Sequence, residues 1–146
     1  LTNIELIKQI PEKPIKSITD TLIDSKINIK VTYYSSPTKT IEVLNRNKNN
    51  QKAKTFYREF ESKIEVIKNN KLLFSEVLNK ESFINKNSGF WEKTIMQYVW
   101  LDDFESTENN YKLYCSFLEP ESKHYKMYSI NFDNSGNKTI QLIETT

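Results

Sequence analysis

The sequence predicts one all-β domain of about eight mainly antiparallel strands, running as a meander that is either barrel-like or a sandwich. Three observations predict it. Apolar side chains recur at every second position in one segment after another, the period of a strand with one dry face. Short clusters of Asn, Asp, Ser and Pro separate these segments at hairpin spacing. The chain has 146 residues, which suits a single domain with a single core.

Residues 1–14, LTNIELIKQIPEKP, read as an irregular N-terminal arm or leader. Ile4, Leu6, Ile7 and Ile10 fit one helical turn or an irregular path, and Pro11 and Pro14 close the segment. The β domain then spans 15–146. A short strand is expected around 17–22 and a stronger one at 27–35, where Ile27, Ile29, Val31 and Tyr33 alternate with Asn28, Lys30, Thr32 and Tyr34. Ser35-Ser36-Pro37 reads as a turn, and 38–44 as the returning strand, rich in β-branched residues. The polar, Asn-dense run 45–51 is a loop.

The stretch 55–83 carries the clearest pattern. Phe56, Arg58, Phe60, Ser62, Ile64 and Val66 fall on one, mostly apolar face of a strand, and Tyr57, Glu59, Glu61, Lys63, Glu65 and Ile67 on the other, mostly charged one. Lys68-Asn69-Asn70-Lys71 follows, and Asn tolerates the left-handed conformations of tight hairpin turns. A second apolar run, 72–78, returns along the first. Register makes the faces specific: Phe60, Ile64 and Val66 are expected to be buried, and Glu59, Glu61, Lys63 and Glu65 exposed.

Residues 79–83 leave the sheet, with Asn79 as the cap of a short helical turn, and 84–89 is a loop. Residues 90–101 form the most apolar strand. Met96, Tyr98 and Trp100 are assigned to one face and Ile95, Val99 and Leu101 to the other, so cover on both sides is expected. An acidic loop (102–110), a strand (111–118), a turn (119–122), a strand (123–132), a Gly-containing turn (133–137) and a last strand (138–144) complete the chain.

Composition narrows the function classes. Hydrophobic residues are 37% of the chain and aromatics 12%, so large rings supply much of the buried area. The formal net charge is +2; nearly all the positive charge is Lys, with Arg46 and Arg58 the only arginines. Lys is scattered among Glu and Asn rather than gathered in an Arg-containing stripe, so no nucleic-acid partner is expected. The one cysteine, Cys115, rules out an internal disulfide and a Cys-based metal site. Its period-two neighbours Tyr111, Leu113 and Phe117 mark it as a small buried hydrophobe. No run approaches the roughly 20 apolar residues of a membrane span. The chain begins at Leu1 rather than Met, and removal of an upstream segment is expected.

Motifs for chemistry are sparse. His124 is the only histidine and lacks a second His or a nearby Cys for nucleophilic or zinc chemistry. Asp102, Asp103, Glu105 and Glu108 cluster, but without the glycine and spacing of a calcium loop. Walker, GxGxxG, GxSxG and HExxH patterns are missing from the sequence. The protein is therefore not expected to be an enzyme, and no catalytic residue, cofactor or metal is assigned. Aromatics remain: several facing outward together would stack on sugars or form a partner patch. The binding candidates are Tyr57, Trp91, Trp100 and Tyr33, with Tyr57 the best candidate for exposure.

Thr19-Asp20, the hairpin FYREFESKIEVIKNNKLLFSEVLNKESF ending in Lys80-Glu81-Ser82-Phe83, and the C-terminal strands ending near Gly136 resemble a group of small Bacteroidetes lipoproteins classed as a domain of unknown function. The likeness covers roughly residues 15–144. It implies export to the cell envelope, periplasmic or outer-membrane, a lipid anchor on a cysteine upstream of Leu1, and an all-β fold. It carries no known catalytic residues. The expected function is a non-catalytic binding or interaction module; the alternative is a lipocalin-like barrel carrying a small apolar ligand. Expected partners are a protein, a glycan or a small apolar ligand, with the membrane reached only through the anchor.

Overall fold

In a computed structural model that describes residues 6–46, 49–83 and 89–146, nine strands form two sheets. They are β1 (Leu6–Ile10), β2 (Lys16–Ile23), β3 (Ile27–Arg46), β4 (Lys52–Lys68), β5 (Lys71–Leu78), β6 (Ile95–Leu101), β7 (Asn110–Leu118), β8 (Tyr125–Asp133) and β9 (Lys138–Thr145). The first sheet runs β1-β4-β3-β2, with β5 also on β4; the second runs β6-β7-β8-β9. All pairings are antiparallel except β1 with β4. The chain is all-β, and the sheets do not close into a barrel.

Local chemistry sets the hairpins. Asn69 and Asn70 join β4 to β5 with φ of 51° and 61°, and Asp24 and Ser25 join β2 to β3 with φ of 52° and 56°. Two consecutive residues at positive φ give a turn whose twist matches the flanking strands. Gly136 takes φ 84° in the β8–β9 turn, where a Cβ would sit 3.1 Å from the Phe74 ring. Both the backbone and the close approach of β5 call for glycine there.

The inner faces meet in one core. Ile27, Ile29, Val31, Phe60, Ile64, Val66 and Leu78 come from the first sheet, and Met96, Tyr111, Leu113, Cys115, Phe117, Ile130 and Phe132 from the second. Phe60, Ile64 and Val66 are buried, as register requires, and Lys63 is exposed. Glu59, Glu61 and Glu65 are only half-exposed. Glu59 departs furthest from expectation: it pairs with Lys80 at 2.6 Å, with side chains 14% and 12% exposed. The segment after β5 folds back over that side of β4 and covers it. Asn79 does cap a short 3-10 turn, Lys80–Ser82; its backbone N–H donates to Ser82 Oγ at 3.2 Å, and Ser82 Oγ to its side-chain oxygen at 3.3 Å.

Three further expectations need correction. Residues 6–10 are a strand, not a helical turn or irregular arm; they line up along the first half of β4 and use its free backbone groups. Ser35-Ser36-Pro37 is not a hairpin turn. The chain runs on through it, and both halves of β3 pair with β4, 27–35 with 60–68 and 40–46 with 52–58. Residues 36–39 drop out of the ladder, where Pro37 has no N–H to contribute. The faces of β6 also change part-way: a register shift between Met96 and Tyr98 puts Met96 on the inner face with Val99 and Leu101, and turns Tyr98 and Trp100 outward. The loops expected at 45–51 and 84–89 fall partly on residues 47–48 and 84–88, outside the described residues.

Strand length then shapes the molecule. β3 has 20 residues and β4 has 17, whereas the strands of the second sheet have 7–9. At about 3.3 Å per residue, the long pair overhangs the second sheet as a ribbon, with β1 as its third strand.

Candidate functional site

The outer face of the second sheet is built in rows by its register. Tyr98, Ser116, Met127 and Glu144 face each other across four strands, and so do Trp100, Tyr114, Ser129 and Gln141; Lys112, Asn131 and Thr139 form a shorter row. Side chains opposite one another in a ladder share a face. Tyr98 is 60% exposed and Trp100 is 40% exposed. Trp100 and Tyr114 lie with ring centroids 5.3 Å apart and planes tilted by 30°. Lys112 places its ammonium 5.5 Å from the centre of the Tyr114 ring, within cation–π range.

Beneath these rings Ser116 and Ser129 are buried, the small floor of an otherwise bulky surface. Ser116 Oγ lies 3.4 Å from Gln97 Oε1 and donates to it, which ties the bulge residue to the neighbouring strand. The result is an open sheet face with aromatic rings along β6–β7 and hydroxyl and amide side chains along β8–β9. Such a surface offers flat apolar contact together with groups that orient a polar ligand.

Of the four binding candidates, only Trp100 belongs to this face. Trp91, 3% exposed, lies in the core against Phe83, Phe117 and Tyr128. Tyr33 stacks on Phe60 at 4.8 Å, and its hydroxyl donates to the carbonyls of Gln97 and Met96 at 2.9 and 3.0 Å. Burial, then the nearby Cys115 and Tyr98, raise its pKa. Tyr57 is half-buried and donates to Glu121 Oε2 at 2.9 Å, while Asn45 Nδ2 donates to Glu121 Oε1 at 2.6 Å. Burial first, and the Glu121 hydrogen bond second, push the Tyr57 phenol up to about 12. Tyr57 thus fastens the ribbon to the β7–β8 turn. Tyr98, exposed, and Tyr114, half-buried, complete this face, and neither is one of the four binding candidates; no local signal marks the β6 bulge that turns Tyr98 outward.

Other possible centres disperse. The Asp102 carboxylate accepts the Glu105 N–H at 3.0 Å, and Glu108 pairs with Lys26 at 3.2 Å. Among the described residues no three metal-ligating side chains converge. His124 and Glu119 line one shallow cleft of about 260 Å³ with Phe90 and Lys93. Glu119 Oε2 accepts from Ser122 Oγ, and no hydrogen bond among the described residues reaches the imidazole. Cys115 is buried, and burial pushes its thiol far up, away from the reactive thiolate.

The fold and this face define an all-β, two-sheet protein with an aromatic outer surface. No protein-family model matches the sequence, and no curated protein does.

Proposed function

We propose that this is an exported, lipid-anchored protein of the cell envelope that works as a non-catalytic binding module, with a glycan as the ligand of the Tyr98–Trp100–Tyr114 face. One observation carries the reading: three aromatic rings are gathered on one outer sheet face, Tyr98 and Trp100 exposed and Tyr114 half-buried beside them. A ring stacks on the C–H face of a sugar, and Ser, Asn, Gln and Lys side chains beside it meet hydroxyl groups. The export and anchoring parts of the proposal rest on the resemblance drawn from the sequence. The lipocalin-like alternative needs a closed barrel with a cavity, and the open pair of sheets favours the binding face instead.

The two tryptophans make a direct test. Trp91 is buried and Trp100 exposed, so a glycan on this face should change the emission of Trp100 alone. Screening an array of bacterial surface glycans should find a ligand, and Trp100→Ala should weaken it at least tenfold while leaving the circular dichroism spectrum unchanged. Binding that survives Trp100→Ala and Tyr98→Ala together would remove this face from the function.

A further inference from the structure

We propose a second contact: the overhanging ribbon docks on an anionic lipid surface through the face that carries Ile7, Leu44, Arg46, Lys52 and Lys54. Register builds this face. Lys54 is the partner of Leu44 on β3 and of Ile7 on β1, so the three form one row across three strands. Arg46 and Lys52 are partners in the next row of the same face. Leu44 is 70% exposed and Ile7 is 67% exposed, more than any other aliphatic side chain among the described residues.

The ribbon has a covered side and an open side. On the covered side Ile41 and Thr55 are buried, and Asn45 and Tyr57 are held by Glu121 of the β7–β8 turn. The opposite side carries the two aliphatics, beside a cleft of about 400 Å³ lined by Leu44, Arg46, Lys52 and Lys54 among others. Its charge is one-signed along the strand ends. Between 43 and 58 the described charged residues are Arg46, Lys52, Lys54 and Arg58, all cationic. Arg58 is half-buried against the carbonyls of Pro11 and Glu12, whereas Arg46, whose Nη1 donates to the Asn50 carbonyl at 2.9 Å, stays exposed. Lys54 shares an ion pair with Glu42 at 3.2 Å. Among the described residues of this face, three cations stand against one carboxylate, a positive balance.

Charge complementarity therefore asks for an anion, and Leu44 and Ile7 ask for an apolar medium beside it. An anionic lipid leaflet supplies both within a few ångströms: phosphate headgroups at the surface and acyl chains beneath. A nucleic acid supplies phosphates but has no place for two exposed aliphatics, and among the described residues this side of the ribbon has only the half-buried Phe56 as a stacking ring.

The test is co-sedimentation of the whole chain with vesicles of phosphatidylglycerol and phosphatidylcholine, compared with phosphatidylcholine alone. Selective binding to the anionic vesicles, weakened by salt, is expected. A cation beside an anionic leaflet is worth about a fivefold change in partitioning, so Arg46→Glu with Lys52→Glu should lower it by more than about tenfold. Leu44→Ser with Ile7→Ser should also lower it severalfold, because the aliphatics enter the leaflet. All four positions are exposed, and Trp91 emission checks that each variant is folded. Trp100→Ala should leave vesicle binding unchanged, which separates this contact from the aromatic face. Equal binding to both vesicle types would overturn the proposal. So would a serine pair that binds as the wild type does while the glutamate pair loses vesicles and a single-stranded oligonucleotide alike; that result would make the ribbon a general polyanion site.

Discussion

Changing Lys80 to Met takes away the partner of a carboxylate that is nearly out of water. Lys80 Nζ sits 2.6 Å from Glu59 Oε1 and donates to the Thr94 carbonyl at 3.3 Å. One ammonium thus joins β4, the 3-10 turn after β5 and the entry to β6. With charge centres about 4 Å apart and an effective dielectric near 20, the gross attraction is about 4 kcal/mol. Desolvation of both ions offsets much of that, while removal of one ion leaves the other uncompensated. Buried pairs lose about 3–5 kcal/mol on such truncation; with the side chains 12% and 14% exposed, some water reaches Glu59, and about 2–4 kcal/mol is expected here. Glu59→Gln should cost less, since the amide still accepts from Lys80. The double variant Lys80→Met, Glu59→Gln should recover part of the loss. Urea denaturation of the four proteins measures the coupling directly. A Lys80→Met cost under about 0.5 kcal/mol, the size of a surface substitution, would refute the claim that this pair pins the crossing segment.

Ile64 is fully buried between the sheets, and Ile64→Ala should cost about 2–5 kcal/mol in chemical denaturation. Glu65→Ala, which removes the cross-strand partner of Lys30, should stay below about 1 kcal/mol; the reverse order would reverse the faces of β4. The Tyr57 phenol is pushed up to about 12, above the ordinary tyrosine value of about 10. The neutral phenol is the form that donates to Glu121. Its stabilisation is complete below about pH 10 and is lost as pH rises through the folded value. The stability difference between wild type and Tyr57→Phe should therefore be constant below about pH 10 and shrink above it; a difference that grows with alkali would reverse the sign of this argument.

Much of the fold was legible because its signals are local. The alternation from Phe60 to Val66 fixes a dry face within a few residues, and Asn69-Asn70 supplies the turn that returns the chain. Asn79 likewise caps its 3-10 turn with groups only three residues away. The errors share a different cause. Ser35-Ser36-Pro37 has the chemistry of a turn, yet β4 is long enough to pair with both sides of it, and ladder bonds on either flank hold the chain extended. Residues 6–10 form a strand only because the edge of β4 is available to them. Neither fact can be read from a window around the residues concerned.

The candidate site was legible in composition and hidden in geometry. A surplus of rings pointed to an aromatic surface, but which rings reach it depends on one register shift in β6. Without that shift Met96, Tyr98 and Trp100 share a face, and a strand apolar on both sides calls for cover on both. With it, the apolar residues needed by the core gather on the inner side and the two amphipathic rings turn outward together. Glu59 follows the same logic in reverse. Alternation correctly places it opposite Phe60, but a face opposite the core is exposed only if no later segment covers it, and Lys80, tied in turn to the Thr94 carbonyl, does cover it. Period two assigns sides to a strand; the rest of the chain decides which of those sides meets water, and the Tyr98–Trp100 side of β6 is one that the described segments leave open.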